Sequence, residues 1–265
     1  MMRALSTITV APNGARRGLT DHPALPVTID AVAATAAACH AAGAETIHLH
    51  VRDDAGAHSL DAQRYAAAIR AVEAATGGAM GVQITTEAAG CYDVAAQRAL
   101  LEQVAAQAAS VALRELVPDP SEEAATAAAL AAAAGRGIAL QYILYQPGEI
   151  AWLADLMVRG VVPAGFEVLF VMGRYDAGGS DPERLVDWLW AWQASGLAGQ
   201  APWMVCAFGP SETRVLAAAL ALGGKARVGF ENNLHRPDGT VAADNAERVA
   251  AIAGLAAAMG LHGAR

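Results

Sequence analysis

The stretch Ala44-Glu45-Thr46-Ile47-His48-Leu49-His50-Val51-Arg52-Asp53 decides how this chain is read. It is a run of strand character, Glu45 to Val51, that closes on two histidines one residue apart. Side chains alternate between faces along a strand, so His48 and His50 point the same way and both imidazoles can reach one metal ion. The pair alone is a modest signal, because a strand can also carry two polar residues on a solvent face. What matters is the fold that holds it and what that fold brings beside it.

Outward from this strand, β-rich runs recur between alanine-rich stretches of helical character. The strands expected are Thr7 to Ala11, Glu45 to Val51, Met80 to Thr85, Ser110 to Leu113, Ala139 to Leu144, Phe166 to Val171, Trp203 to Phe208 and Arg227 to Phe230. Their spacing is roughly 30 residues, the length of one βα unit. The helices expected between them are Ile29 to Ala42, Ala62 to Ala75, Val94 to Ala108, Ser121 to Ala134, Ile150 to Val158, Pro182 to Ala194, Ser211 to Ala221 and Asn245 to Met259. Ser121, Asp181 and Ser211 read as helix N-caps, each followed by acid or proline in the first turn. Strand then helix, eight times over, predicts an α/β protein, a (β/α)₈ TIM barrel as a single domain over residues 1–265. A doubly wound open sheet is the rival, but no G-x-G-x-x-G loop follows the first strand.

Composition agrees with one large core and a small-molecule partner. The chain has 265 residues, 55% hydrophobic and 17% charged, with formal net charge −8 and pI near 5.3. An acidic surface attracts neither nucleic-acid phosphate nor anionic lipid. Cys39, Cys91 and Cys206 are odd in number and lack metal-ligand spacing, so they read as reduced thiols of a cytoplasmic protein. No apolar block suggests a signal peptide or membrane span. The alanine tract Ala124 to Ala134 reads as a closely packed helix.

In such a barrel the active site lies at the carboxyl ends of the strands. Those ends carry Asn13, Arg16 and Arg17; His48, His50, Arg52 and Asp53; Thr85, Thr86 and Glu87; Arg114 and Glu115; Tyr145 and Gln146; Arg174; and Glu231, Asn232 and Asn233. The second and eighth strands are two apart around a closed barrel, so Glu231 completes a His₂Glu set with His48 and His50. Three protein ligands and an open position make up a catalytic zinc site, although nickel, iron or manganese suit the same donors. Such an ion polarises a carbonyl oxygen as a Lewis acid.

Five segments in register then resemble a known family. They are Ala11-Pro12-Asn13-Gly14-Ala15-Arg16, Asp21-His22-Pro23-Ala24-Leu25-Pro26-Val27-Thr28, Ala42-Gly43-Ala44 leading into His48-Leu49-His50-Val51-Arg52-Asp53, Gln83-Ile84-Thr85-Thr86, and Arg227-Val228-Gly229-Phe230-Glu231-Asn232-Asn233. Together they are similar to the β-keto acid cleavage enzymes, typified by 3-keto-5-aminohexanoate cleavage enzyme and long described as a domain of unknown function. The resemblance implies a TIM barrel, one Zn²⁺ per subunit on His48, His50 and Glu231, a homo-oligomer (tetramer or dimer), and reaction of a β-keto acid with acetyl-CoA to give acetoacetate and a new coenzyme A ester. It places Thr85 at a substrate-holding hydroxyl and Arg227 near the reacting carboxylate, as a keto acid site would demand.

The departures from the family carry information too. Asn232 stands where the family has an aspartate with a role in base chemistry, and an amide orients but takes no proton. Glu87-Ala88 replaces two glycines after Thr85-Thr86, so Glu87 and Glu115 become candidate bases; Glu115 can instead pair with Arg114. Arg16 stands where some members hold an acid for an amino-bearing substrate, and Gln146 where some have an acidic residue. With Asn13 and Thr86 these residues form the expected substrate-binding set. They suggest a substrate without the amine and with an extra carboxylate or polar group.

Three other functions rival this reading, the first two disfavoured by the placement and absence of their motifs. A hydroxymethylglutaryl-CoA lyase type of divalent-metal aldolase or lyase places its histidine pair on a late strand. An amidohydrolase-like barrel needs a lysine and further histidines at later strand ends. A metal-binding barrel that has lost catalysis is kept in play by Asn232. Arg52 and Asp53 read either as supports of the histidines or as a rim salt bridge. His22, His40, His58, His235 and His262 fall away from the strand ends and read as surface histidines. Trp188, Trp190, Trp192 and Trp203 read as helix packing, a subunit contact or a coenzyme A channel.

Overall fold

The computed structural model of the protein describes residues 7–175 and 180–261. Eight parallel strands close into a barrel: β1 (Ile8–Val10), β2 (Thr46–Leu49), β5 (Gly81–Thr85), β6 (Ala108–Ala112), β7 (Ala139–Leu144), β8 (Glu167–Met172), β9 (Trp203–Ala207) and β10 (Lys225–Val228). Closure runs through β1, where Thr9 pairs with Arg227 on one side and with Thr46 on the other. Between β2 and β5 a two-stranded ribbon, β3 (Val51–Arg52) and β4 (His58–Ser59), folds back antiparallel.

The outer ring is α1 (Ile29–Ala41), α2 (Ala62–Thr76), α3 (Val94–Gln103), α4 (Leu113–Leu116), α5 (Glu123–Gly135), α6 (Glu149–Val158), α7 (Leu185–Ala194), α8 (Glu212–Ala221) and α9 (Asn245–Ala258). None of these helices is long and apolar enough to cross a membrane. The alanine tract lies in α5, which buries Ala129, Leu130 and Ala133.

Strand periodicity sorts side chains into two layers. Tyr142 and Leu144 of β7, Val168 and Phe170 of β8, and Val205 of β9 join the helix-facing core. The alternate residues Ala139, Ile143, Leu169, Val171, Met204 and Cys206 form a separate cluster inside the barrel. Trp188 and Trp192 of α7 pack on Phe170, at 4.8 and 5.7 Å between ring centroids, whereas Trp190 is 73% exposed.

Differences from the expected elements have local causes. The alanine-rich run after α3 does not stay helical: Val104 turns extended, and Ala108–Ala112 becomes β6 because β5 and β7 pair with it on both sides. Tertiary pairing here overrides alanine's helix propensity. The strand ends at Ala112, and Arg114 and Glu115 sit on the single turn α4.

Asp181 and Ser211 hold the expected N-cap positions but without a side-chain cap bond, and Ser121 is not a cap. Ser211 is already helical in backbone, and Ser121 lies inside a 3₁₀ turn capped by Asp119. Thr28, Asp61, Asp93 and Asp244, extended in backbone, accept the first-turn N–H groups of α1, α2, α3 and α9.

Candidate metal centre at the barrel mouth

His48 lies on β2 and His50 just beyond it, and the alternation of the strand turns both rings inward. Glu231 comes from the loop that follows β10. Their ligand atoms converge: His48 Nε2 and His50 Nε2 are 3.2 Å apart, and Glu231 Oε2 stands 3.4 and 3.5 Å from them. All three residues are buried. Three lone-pair atoms so placed outline one face of a tetrahedron. Metal bonds of about 2.0–2.1 Å give an edge of roughly 3.3–3.4 Å. Glu231 Oε2 is buried and has no hydrogen-bond partner among the described residues, as a ligand oxygen reserved for a cation would. The donor set therefore fits a metal ion.

The surroundings hold the donors in that state. Burial pushes His48 down to about 3, partly opposed by Glu231, so the ring is neutral and able to ligate. Burial alone would raise the Glu231 carboxyl, but Arg227, His48 and His50 outweigh it and keep the group well below the usual carboxylate range. Arg227 Nη2 donates to Glu231 Oε1 at 2.9 Å and reaches Asn232 Oδ1 at 3.5 Å. Its Nε and Nη1 are buried and bond to nothing among the described residues.

The loop that carries Glu231 is fixed from behind. Asn245 accepts the Phe230 N–H at 2.9 Å and donates to the Pro12 carbonyl at 3.1 Å. Glu212 takes Arg248 at 2.7 Å and the Asn233 amide at 3.1 Å. Tyr175 donates to the Glu231 carbonyl at 2.8 Å.

The remaining expected residues divide by what they touch. Glu87 reaches the centre, with Oε2 3.7 Å from His50 Nε2 and a side chain 25% exposed. Thr85 Oγ1 accepts the Glu87 N–H at 3.1 Å, and Thr86 donates its hydroxyl to the Ser110 carbonyl at 3.2 Å. Glu115 makes no ion pair with Arg114 among the described residues. It accepts the Ala88 N–H at 3.0 Å, and burial raises its pKa. Arg114 lies instead on the Tyr145 ring, 3.4 Å from its centroid.

Asn13 is fully buried and bonded to main chain, donating to the His50 and Pro26 carbonyls at 2.9 and 3.0 Å and accepting the His50 N–H at 3.2 Å. Arg16 and Gln146 are exposed at the rim. Arg52 clamps the Gly14, Arg17 and Gly56 carbonyls, while Asp53 accepts two N–H groups of its own turn. Among the described residues neither forms the rim salt bridge, and neither bonds to the histidine rings.

His58 and His22 are buried rather than on the surface, and His262 lies outside the described residues. His22 wedges against Phe230, with ring centroids 4.4 Å apart, and bonds the Ala242 carbonyl at 2.9 Å. His58 comes up beside His50 because β4 folds over the mouth; burial and its neighbour His50 push it down to about 4. The short turn Asp53 to Gly56 between two β-prone dipeptides was the available sign of that ribbon. Gln83, too, was quoted only as part of a segment. It lies beside His48 in the β2–β5 register, and its Oε1 is 2.8 Å from His48 Nδ1.

Comparison with known proteins follows the same lines. Residues 6–265 match the family model described as beta-keto acid cleavage enzyme. The chain is 26% identical over 263 residues to a 3-keto-5-aminohexanoate cleavage enzyme of Fusobacterium nucleatum, covering 96% of this chain and 92% of that protein. It is 26% identical over 254 residues to a 3-oxoadipate:acetyl-CoA acetyltransferase of Cupriavidus necator, covering 94% and 87%. A solved complex of ObcA with oxaloacetate superposes with a TM-score of 0.67 at 18% identity, over 91% of this chain and 65% of that one, a likeness of fold.

Proposed function

The chain belongs to the beta-keto acid cleavage enzyme family, and on that premise we propose that it exchanges the acyl group of a β-keto acid with the acetyl group of acetyl-CoA. R–CO–CH₂–COO⁻ and CH₃–CO–SCoA become R–CO–SCoA and CH₃–CO–CH₂–COO⁻, acetoacetate. The observation that carries the reading is the convergence of His48, His50 and Glu231 beside Arg227, whose Nε and Nη1 have no bonding partner among the described residues. A divalent ion held by those three residues, zinc by the mix of two imidazoles and a carboxylate, would supply a Lewis acid at the substrate's carbonyl oxygen.

The chain's own residues do the rest. The spare Arg227 donors take the substrate carboxylate, a charge-assisted contact. Glu87, partly open to solvent beside His50, removes the proton from the carbon between the two carbonyls. Asn232, held near Arg227, orients the substrate without exchanging protons. Thr85 and Glu115 hold the Glu87 loop through main-chain N–H groups. Asn13 holds the His50 main chain, and Thr86 ties its loop to β6. Arg16 and Gln146 at the rim meet the far end of a keto acid that carries a second carboxylate or polar group.

The second reading, a metal-binding barrel without turnover, rests on Asn232. Purified zinc-loaded protein, acetyl-CoA and a panel including 3-oxoadipate and 3-keto-5-aminohexanoate separate the two readings by mass spectrometry. Acetoacetate with a matching coenzyme A ester is expected. Stoichiometric metal with no ester from any acid sinks the enzymatic reading.

A further inference from the structure

His58 was not needed to build the metal centre, yet its ring lies against it. Its Nδ1 faces His50 Nδ1 at 3.5 Å and its Nε2 faces the Glu87 carbonyl at 2.8 Å. A carbonyl can only accept, so the His58 ring proton is on Nε2. That leaves Nδ1 of the neutral ring as a lone pair, and a lone pair facing His50 Nδ1 favours a proton there. His50 Nε2 is then bare and aimed at Glu231.

The same device serves the neighbouring ligand. Gln83 Oε1 faces His48 Nδ1, and the Gln83 amide nitrogen donates to Gln141 Oε1 at 3.2 Å, which fixes the amide with its oxygen toward the histidine. The two imidazoles are thus each backed by an uncharged acceptor, one an amide and one a third imidazole. Uncharged backing leaves the net positive charge of a loaded centre intact for an anionic substrate.

We propose that His58 is a positioning residue that sets the ligating tautomer of His50 and, through the Glu87 main chain, ties the loop bearing Glu87 to the metal ligand. The inference rests on the metal-centre reading above. Tyr92 steadies the ring from outside, edge-on at 5.9 Å between centroids, with its hydroxyl donating to the His58 carbonyl at 3.3 Å.

The test uses zinc competition titration against a chromophoric chelator together with ring ¹⁵N NMR of the whole protein. His58→Phe keeps a ring but removes both polar atoms, and zinc affinity is expected to fall about 10–100-fold, the usual cost of losing a ligand's outer partner. His58→Gln can accept from His50 and donate to the Glu87 carbonyl, as Gln83 does beside His48, and should restore affinity to within about threefold. Unchanged affinity in His58→Phe, or a loss that His58→Gln does not repair, overturns the proposal. If His58→Phe fails to fold, the unsubstituted protein decides: His58 protonated on Nε2 and bare on Nδ1 supports it, and the opposite tautomer overturns it. A wild-type protein that binds no zinc would instead remove the metal-centre reading itself.

Discussion

Gly14 lies directly under Glu231: a Cβ built on Gly14 would stand 2.6 Å from Glu231 Cγ, and the residue is left-handed at φ +64°. The end of the first strand and the metal-facing glutamate of the last therefore touch, and only glycine lets them. Gly14→Ala is expected to cost on the order of 1–3 kcal/mol from backbone strain and to push Glu231 out of line with the histidines. Urea unfolding together with bound-metal content checks this. A variant that keeps full metal content would show that Glu231 has room to yield.

Arg227 presents a planar fork, with Nη2 on Glu231 and two nitrogens, Nε and Nη1, unbonded among the described residues. Arg227→Lys keeps the charge and loses the fork. Losing one charge-assisted hydrogen bond, about 1.5–3 kcal/mol, lowers kcat/KM for the keto acid by roughly 10–100-fold. The KM for acetyl-CoA should stay within about threefold if the fork serves the keto acid alone. A loss confined to acetyl-CoA would reassign Arg227 to the thioester.

Glu115, on α4, holds the loop that bears Glu87 through the Ala88 N–H, but the two carboxylates face different work. Glu87→Gln is expected to lower kcat by about 10²–10⁴-fold, the usual contribution of a general base. Glu115→Gln keeps an oxygen for the Ala88 N–H and should cost less than about tenfold. The reverse ranking, in steady-state rates of metal-loaded protein, would hand the proton transfer to Glu115.

Acid should destabilise the metal-free protein. His48 and His58 fall from an ordinary 6.5 to about 3 and about 4 on folding, so between those values the unfolded chain binds more protons than the folded one. Stability then rises with pH through that window and is lost as pH falls from 6.5, with a limiting slope of about 1.4 kcal/mol per pH unit for each ring. Glu231, held below its ordinary value, acts in the same direction below 4.5. Urea midpoints at pH 7 and pH 5 measure the loss, and a flat profile would show that these rings are not buried neutral.

Much of the barrel was legible because its signal is local. Each of the eight strands lies within two residues of its expected start and end; β10 runs Lys225–Val228, and Phe230 belongs to the loop after it. The histidine pair was legible for the same reason, since i and i+2 share a face whatever surrounds them. Glu115 shows where such reading fails. Its neighbour in sequence, Arg114, suggested an ion pair, but the turn α4 carries the two side chains apart, to Ala88 and to Tyr145. His58 failed similarly: six residues beyond Arg52 in sequence, it returns opposite it because the Asp53 turn closes a ribbon too short to show a period.

The sequence by itself determined the alternation of strands and helices, the paired imidazoles at one strand end and the glutamate at another. These follow from residue periodicity and from the order of elements around a closed sheet. Only the tertiary structure decided what backs each ligand: Gln83 behind His48, His58 behind His50, and Arg227 beside Glu231. Hydrogen bonds of this kind join residues far apart in the chain, and their existence depends on register and loop path at the scale of an ångström. Local propensity carries no information at that scale.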